Sequence, residues 1–256
     1  MSFAVAADAY DRFMGRYSTL LAPQLADLAG VQRRQRALDV GCGPGALTSE
    51  LVARLGAEQV AAVDPSEPFV LAARERHSGV DVRPAAAEEL PFPDGQFDVT
   101  LAQLVVHFMA DPVAGLREMA RVTRPGGIVV ACVWDHGGGR GPLSLFWTAV
   151  RQHDPGAHDE SGLAGAREGH LTELFTAAGL GDVDETDLAV QVDHASFDDW
   201  WEPYTLGVGP AGAYVARLDP ARREELKERC RELAPAAPFP LDAHAWAAHG
   251  STHAGL

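Results

Sequence analysis

Positive charge is scarce in this chain. Lys and Arg number 21 against 36 Asp and Glu, leaving a formal charge of −15 over 256 residues. Such a chain repels nucleic acid and anionic membrane surfaces, so neither is expected as a partner. Arg33, Arg34 and Arg36 do cluster, and they read as a solvated junction ahead of the first strand. Cysteine is also sparse. Cys42, Cys132 and Cys230 are odd in number, far apart and form no C-x-x-C pair, which excludes a disulfide framework and a zinc site. That usage fits a reducing compartment. No apolar run approaches the roughly 20 residues a membrane span needs. No basic segment followed by an apolar core opens the sequence, so a cytoplasmic location is expected. No internal repeat is visible. With 46% hydrophobic residues, the chain has enough apolar material for one α/β core carrying a small appended subdomain.

The chain is organised around residues 37–51, ALDVGCGPGALTSEL. Ala37 to Val40 reads as a buried strand, Gly41, Gly43 and Gly45 as a tight turn, and Ala46 to Leu55 as a helix with apolar residues at helical spacing. Strand, glycine turn and helix form the first half of a nucleotide-binding βαβ unit. The glycine pattern alone also fits the dinucleotide fingerprint G-x-G-x-x-A. Asp39 and Pro44 separate the two readings. A carboxylate two residues before the first glycine repels a pyrophosphate and attracts an ammonium, and Pro44 lacks an amide that a phosphate would use. A ligand with a cationic near end is expected, such as S-adenosylmethionine (SAM). An NAD-linked oxidoreductase is the disfavoured alternative. Nineteen residues past Gly45, Asp64 closes the second strand, where an acid accepts from ribose hydroxyls. Pro65 joins it in the cofactor set and opens the second helix.

Leu38-Asp39-Val40-Gly41-Cys42-Gly43-Pro44-Gly45 resembles motif I of the class I SAM-dependent methyltransferases. Asp64, Glu89-Leu90-Pro91-Phe92, Phe97-Asp98 and Arg121 to Gly127 follow in the order that family uses. The branch most similar is that of the ubiquinone and menaquinone C-methyltransferases. The resemblance is specific over residues 35–135, the expected SAM-binding core. It implies a doubly wound α/β fold with a seven-stranded, mainly parallel sheet in a single domain spanning residues 1–256. It also implies methyl transfer from SAM to a small-molecule acceptor by in-line displacement, leaving S-adenosylhomocysteine. The alternative is a SAM-binding protein that does not methylate, either a regulator or a synthase that modifies SAM.

Strands are expected at 59–64, 80–83, 97–102, 128–134, 183–192 and 243–249. Ligands in open α/β sheets bind beyond the carboxyl ends of strands, which puts Gln103, Leu104 and His107 at the mouth of the site. Gln103 resembles the family residue lying along the methionine portion. Ala86 stands where the family commonly has Asp or Asn for the adenine, so the amide of Ala87 and the side of Glu88 are expected to serve there. Relatives use an N-terminal helix as a lid. Residues 1–30 fit that role, with helix over 3–29 divided at Gly15 and Pro23, Tyr10 and Tyr17 near the methyl group, and Arg16 on the methionine carboxylate. His107, the one histidine expected near this cluster, titrates near neutrality and is the candidate base; Tyr17 is the second catalytic candidate. The loop 135–141 reads as flexible, either bordering the acceptor pocket or serving as a linker. Residues 196–235 read as a helical cap inserted between the last two strands, with Trp200, Trp201 and Tyr204 as the apolar wall of an acceptor pocket. No metal is expected, since a sulfonium needs no Lewis acid to leave.

Overall fold

The computed structural model describes residues 7–253. Phe3, which belongs to the expected first helix, lies outside them. The N-terminal segment comprises α1 (Ala7–Tyr10), a π-helical turn at Asp11–Gly15 and α2 (Arg16–Leu28). Pro23 does not divide it, because α2 runs through that residue. An interior proline costs a helix about 3 kcal/mol. Leu21, Ala22, Leu25 and Ala26, all buried on the same helix, supply the packing that offsets it.

Six further elements make the nucleotide-binding half: β1 (Ala37–Val40), α3 (Ala46–Leu55), β2 (Val60–Asp64), α4 (Glu67–Arg76), β3 (Asp81–Pro84) and β4 (Phe97–Gln103). The second half holds α5 (Pro112–Val122), β5 (Thr123–Trp134), α6 (Ser144–His153), α7 (His170–Ala177) and β6 (Gly181–His194). Then come α8 (Phe197–Trp201), α9 (Gly209–Arg217), α10 (Pro220–Leu233) and β7 (Phe239–Ser251). The strands form one seven-stranded sheet in the order β3-β2-β1-β4-β5-β7-β6. Strands β1 to β5 pair in parallel, and β7 runs antiparallel to both β5 and β6.

Both faces of the sheet are covered, which explains why β1, β2 and the later part of β5 are continuous apolar runs. On one face Leu116, Met119 and Val122 of α5 and Phe175 of α7 pack on Leu38, Val40, Val129 and Ala131. On the other, Leu21 and Leu25 of α2 and Leu47 and Leu51 of α3 pack on Ala37, Val99, Leu101 and Val130. Helices α8 to α10 build a third cluster with α6, in which Phe146 stacks on Tyr204 at 4.6 Å between centroids. Chain order reverses between β1 and β4. That switch point is where α/β sheets open a crevice.

Candidate active site

The carboxyl ends of β1, β2 and β4, with the segment after β3, surround a cavity of about 560 Å³. Gly41 and Gly43 line it from the β1 turn, Asp64 and Pro65 from the end of β2, Ala86 to Glu88 from beyond β3, and Gln103 and Leu104 from β4. Tyr10 reaches it from the N-terminal segment, and Phe69 from α4. The described residues lining it include three acids, Asp64, Glu67 and Glu88, and neither lysine nor arginine.

The β1 turn uses its amides internally. Gly41 and Cys42 both donate to the carbonyl of Val63, at 2.8 and 2.9 Å, and Gly45 donates to Cys42. Gly43 donates to Asp64 Oδ2 at 2.8 Å. With Pro44 contributing none, amides 41, 42, 43 and 45 are spent, and a diphosphate finds no cradle there. Gly43 has φ +53°, and a Cβ on it would meet no protein atom within 4 Å. Gly45 is required for a different reason: at φ +105°, its Cβ would strike the His77 ring at 2.5 Å.

Asp39 is 1% exposed. Its Oδ2 accepts from Thr48 Oγ1 at 2.6 Å, while its Oδ1 has no partner. Burial pushes its carboxyl up to about 7, against the Thr48 hydroxyl, which lowers it. Asp64 is also raised by burial, opposed by the amides of Ser66 and Gly43 that it accepts from. Gln103 gives its amide nitrogen to the Ser18 carbonyl at 3.0 Å and leaves Oε1 buried and unpartnered. Gln103 lines the cavity, whereas Asp39, expected in the cofactor set, is not among the lining residues; the unsatisfied Gln103 oxygen in a cavity with three acids fits a ligand that brings N–H donors and positive charge. An amino-acid ammonium and a sulfonium meet that requirement.

Several expected site residues lie elsewhere. Arg16 is absent from the cavity lining. Its guanidinium is held by Asp199 at 3.2 and 3.3 Å and by the Asp193 carbonyl at 2.9 Å, because α2 packs against β6 and α8. Tyr17 points the same way, its hydroxyl 3.1 Å from His194 Nε2. Gly45 shapes the turn without lining the cavity. Glu88 lines it but already accepts from the amides of Ala110 and Asp111 at 2.7 and 3.1 Å. Leu90 and Phe92 are core residues. Trp200, Trp201 and Tyr204 are buried in the cluster that joins α8 to α6 and anchor that segment; Trp200 and Tyr204 border only a cleft of about 10 Å³, and none of the three lines the large cavity.

His107 is 7% exposed and its Nδ1 has no partner. It lines a second, smaller cavity that shares Tyr10, Leu104 and Phe108 with the first. Sequence reasoning missed two groups here. His136 puts its ring 6.0 Å from that of His107, so His107 is not the lone histidine of the cluster. Glu160, buried in a stretch with no regular element, accepts from Trp147 Nε1 at 2.8 Å. Nor is the loop carrying His136 loose. Buried Asp135 accepts from the Gly138 amide at 2.8 Å and from Arg140 Nε at 2.6 Å.

Known proteins are similar to this chain in sequence and in fold. Residues 38–131 match the family model described as a methyltransferase domain. Over 129 residues the chain is 34% identical to the malonyl-[acyl-carrier protein] O-methyltransferase of Erwinia billingiae, covering 50% of each chain. Over 158 residues it is 37% identical to a ubiquinone biosynthesis O-methyltransferase of Cereibacter sphaeroides, covering 58% of this chain and 61% of that one. The chain thus spans about half to three-fifths of the length of these relatives. In fold it is similar to the YcgJ protein of Bacillus subtilis, with a TM-score of 0.59, 18% identity, and coverage of 93% of this chain and 99% of that one. The fold is that of a Rossmann-like α/β domain. Within it, residues 38–131 are similar to a methyltransferase domain.

Proposed function

We propose that the protein binds SAM at the carboxyl ends of β1, β2 and β4 and transfers its methyl group to a small-molecule acceptor. One observation supports this above the others: the large cavity is lined by three acids and no basic residue, beside a glycine turn whose amides are already used. Gln103, with a free buried oxygen, would take the amino-acid end, with the buried Asp39 carboxyl acting through its charge from outside the lining, and Asp64 would take the ribose. Pro65, Ala87 and Glu88 would border the adenine. When bound, SAM supplies a methyl group on a cationic sulfur that needs no further activation.

The chain's own task is orientation and exclusion of water, which in favourable intramolecular cases supplies about 7–11 kcal/mol of barrier reduction. Residues 1–30 would act as the lid, through the described part beginning at Ala7. Tyr10 packs edge-on against Phe69 at 5.5 Å, and Asp11 pairs with Arg76 at 2.7 Å. Residues 196–235 would cover the acceptor side, through Val208 to Ala211. A cytoplasmic setting fits the three buried free thiols. The ubiquinone biosynthesis O-methyltransferase relative favours a small-molecule acceptor, and among the described residues no helix is long and apolar enough to cross a membrane.

Thermal shift with S-adenosylhomocysteine tests the reading. Wild type should be stabilised. Asp64→Ala should bind about 5- to 100-fold more weakly, the loss of one or two charge-assisted bonds at ~1–3 kcal/mol. Equal binding by the two proteins would remove Asp64 from the site.

A further inference from the structure

One end of the large cavity is walled almost entirely by carbon. Ala86 and Ala87 line it from beyond β3, and Val105, Phe108 and Met109 from beyond β4. The two stretches meet over α5: a Cβ on Gly115 would strike the Met109 sulfur at 2.5 Å and lie 3.3 Å from the Ala87 methyl. A thioether is only a weak acceptor. Glu88, the acid at this end, is engaged with the protein, its Oε1 accepting from the amides of Ala110 and Asp111 at 2.7 and 3.1 Å. The other acids of the lining, Asp64 and Glu67, come from the end of β2 and the start of α4. Ala87 is buried, and its amide donates to no acceptor among the described residues. Ala86 is exposed while lining the cavity, so this end opens to solvent.

Resting on the SAM reading above, we infer that this end holds the purine by its ring alone, so that the site accepts the sulfur nucleoside whether or not position 6 of the base carries an amine, and that Ala86 is the residue that sets this breadth. A ring between apolar side chains gains from burying its faces, and that gain does not depend on the amine. The lone Ala87 donor suits a ring nitrogen, which both forms of the base keep. Discrimination against a missing amine needs something else: a buried acceptor that is left unpaired when the amine is gone. Ala86 has no such atom. At the open mouth beside it, water takes the amine's hydrogens in the bound state as it does in free solution, so removing the amine costs little. The site thus reads the amino-acid end and the ribose through polar groups, and the base through shape.

The test is calorimetric titration of the full chain with S-adenosylhomocysteine and with its 6-deamino analogue, in which hydrogen replaces the amine and N1 stays an acceptor. Wild type should bind the two with affinities within about threefold of each other. Ala86→Asp puts an acceptor on the bare wall, and that variant should prefer S-adenosylhomocysteine to the analogue by at least about fivefold. Should it fail to fold, Ala86→Asn carries the test with the same expectation. A larger wild-type difference in either direction would overturn the inference, including the preference for the amine that a reading by the second oxygen of Glu88 would produce. So would a folded variant whose ratio matches wild type, because the base would then lie elsewhere. Failure of both nucleosides to bind would instead sink the SAM reading beneath it.

Discussion

Asp39 is a carboxylate that burial resists ionising and a cationic ligand favours ionising. With its carboxyl raised to about 7, the free protein carries a mixture of charged and neutral Asp39 at neutral pH. A ligand that needs the charged form must displace a proton below that pH. Affinity for S-adenosylhomocysteine should therefore fall as pH drops below 7, approaching tenfold per unit, and level off above it. Calorimetric titration between pH 5.5 and 8.5 checks this, and Asp39→Asn should flatten the profile. The acid was legible in the sequence because it is two residues from a glycine turn. Its protonation was not, since that depends on Thr48 nine residues on and on complete burial.

At the scale of elements, the N-terminal segment divides its work. Tyr10 faces the cavity, while Arg16 and Tyr17, less than two turns later, face β6 and α8. The π-helical turn at Asp11–Gly15 lies between them and alters the helical phase. The resemblance to relatives with an N-terminal lid put all three on one ligand, and it carries no information about that change of phase. Tyr10→Ala should weaken S-adenosylhomocysteine binding by about fivefold, near 1 kcal/mol for a lost aromatic contact, and leave the melting temperature of the free protein within 2 °C or so. Equal affinity in the two proteins would deny the segment a lid role. Residues 35–135 were readable because strand, turn and helix recur there at short range. The walls of the smaller cavity come from six separate stretches of chain, and Glu160 belongs to one with no periodicity at all. The aromatic cluster at 200–204 misled for a related reason: large apolar side chains fill a core as readily as they line a pocket.

For the whole molecule, the consequence is a pH-dependent stability. Asp39 and Glu160 are both raised to about 7 by burial, so the folded chain holds protons that the unfolded chain has released by pH 5. Stability gained from this source is present at low pH and is lost as pH rises toward 7, by at most a few kcal/mol. His107, His136 and His194, held neutral by burial, work the other way, because their unfolded imidazoles take up protons as pH falls toward 6. The share of the two acids is therefore read by difference: Asp39→Asn with Glu160→Gln should raise the melting temperature at pH 7.5 relative to that at pH 6, compared with the same pair of values in wild type, and an unchanged relation would remove the two acids as its source. The chain's large negative charge adds to the trend set by the two acids through self-repulsion.

The most direct test is competitive calorimetry on the ligand-free protein with S-adenosylhomocysteine and NAD at pH 8. The account predicts one saturable site for the sulfur nucleoside, weakened at least tenfold in Asp39→Asn, and no competition from NAD. Binding of NAD to that site, or indifference of the nucleoside to Asp39→Asn, would contradict it.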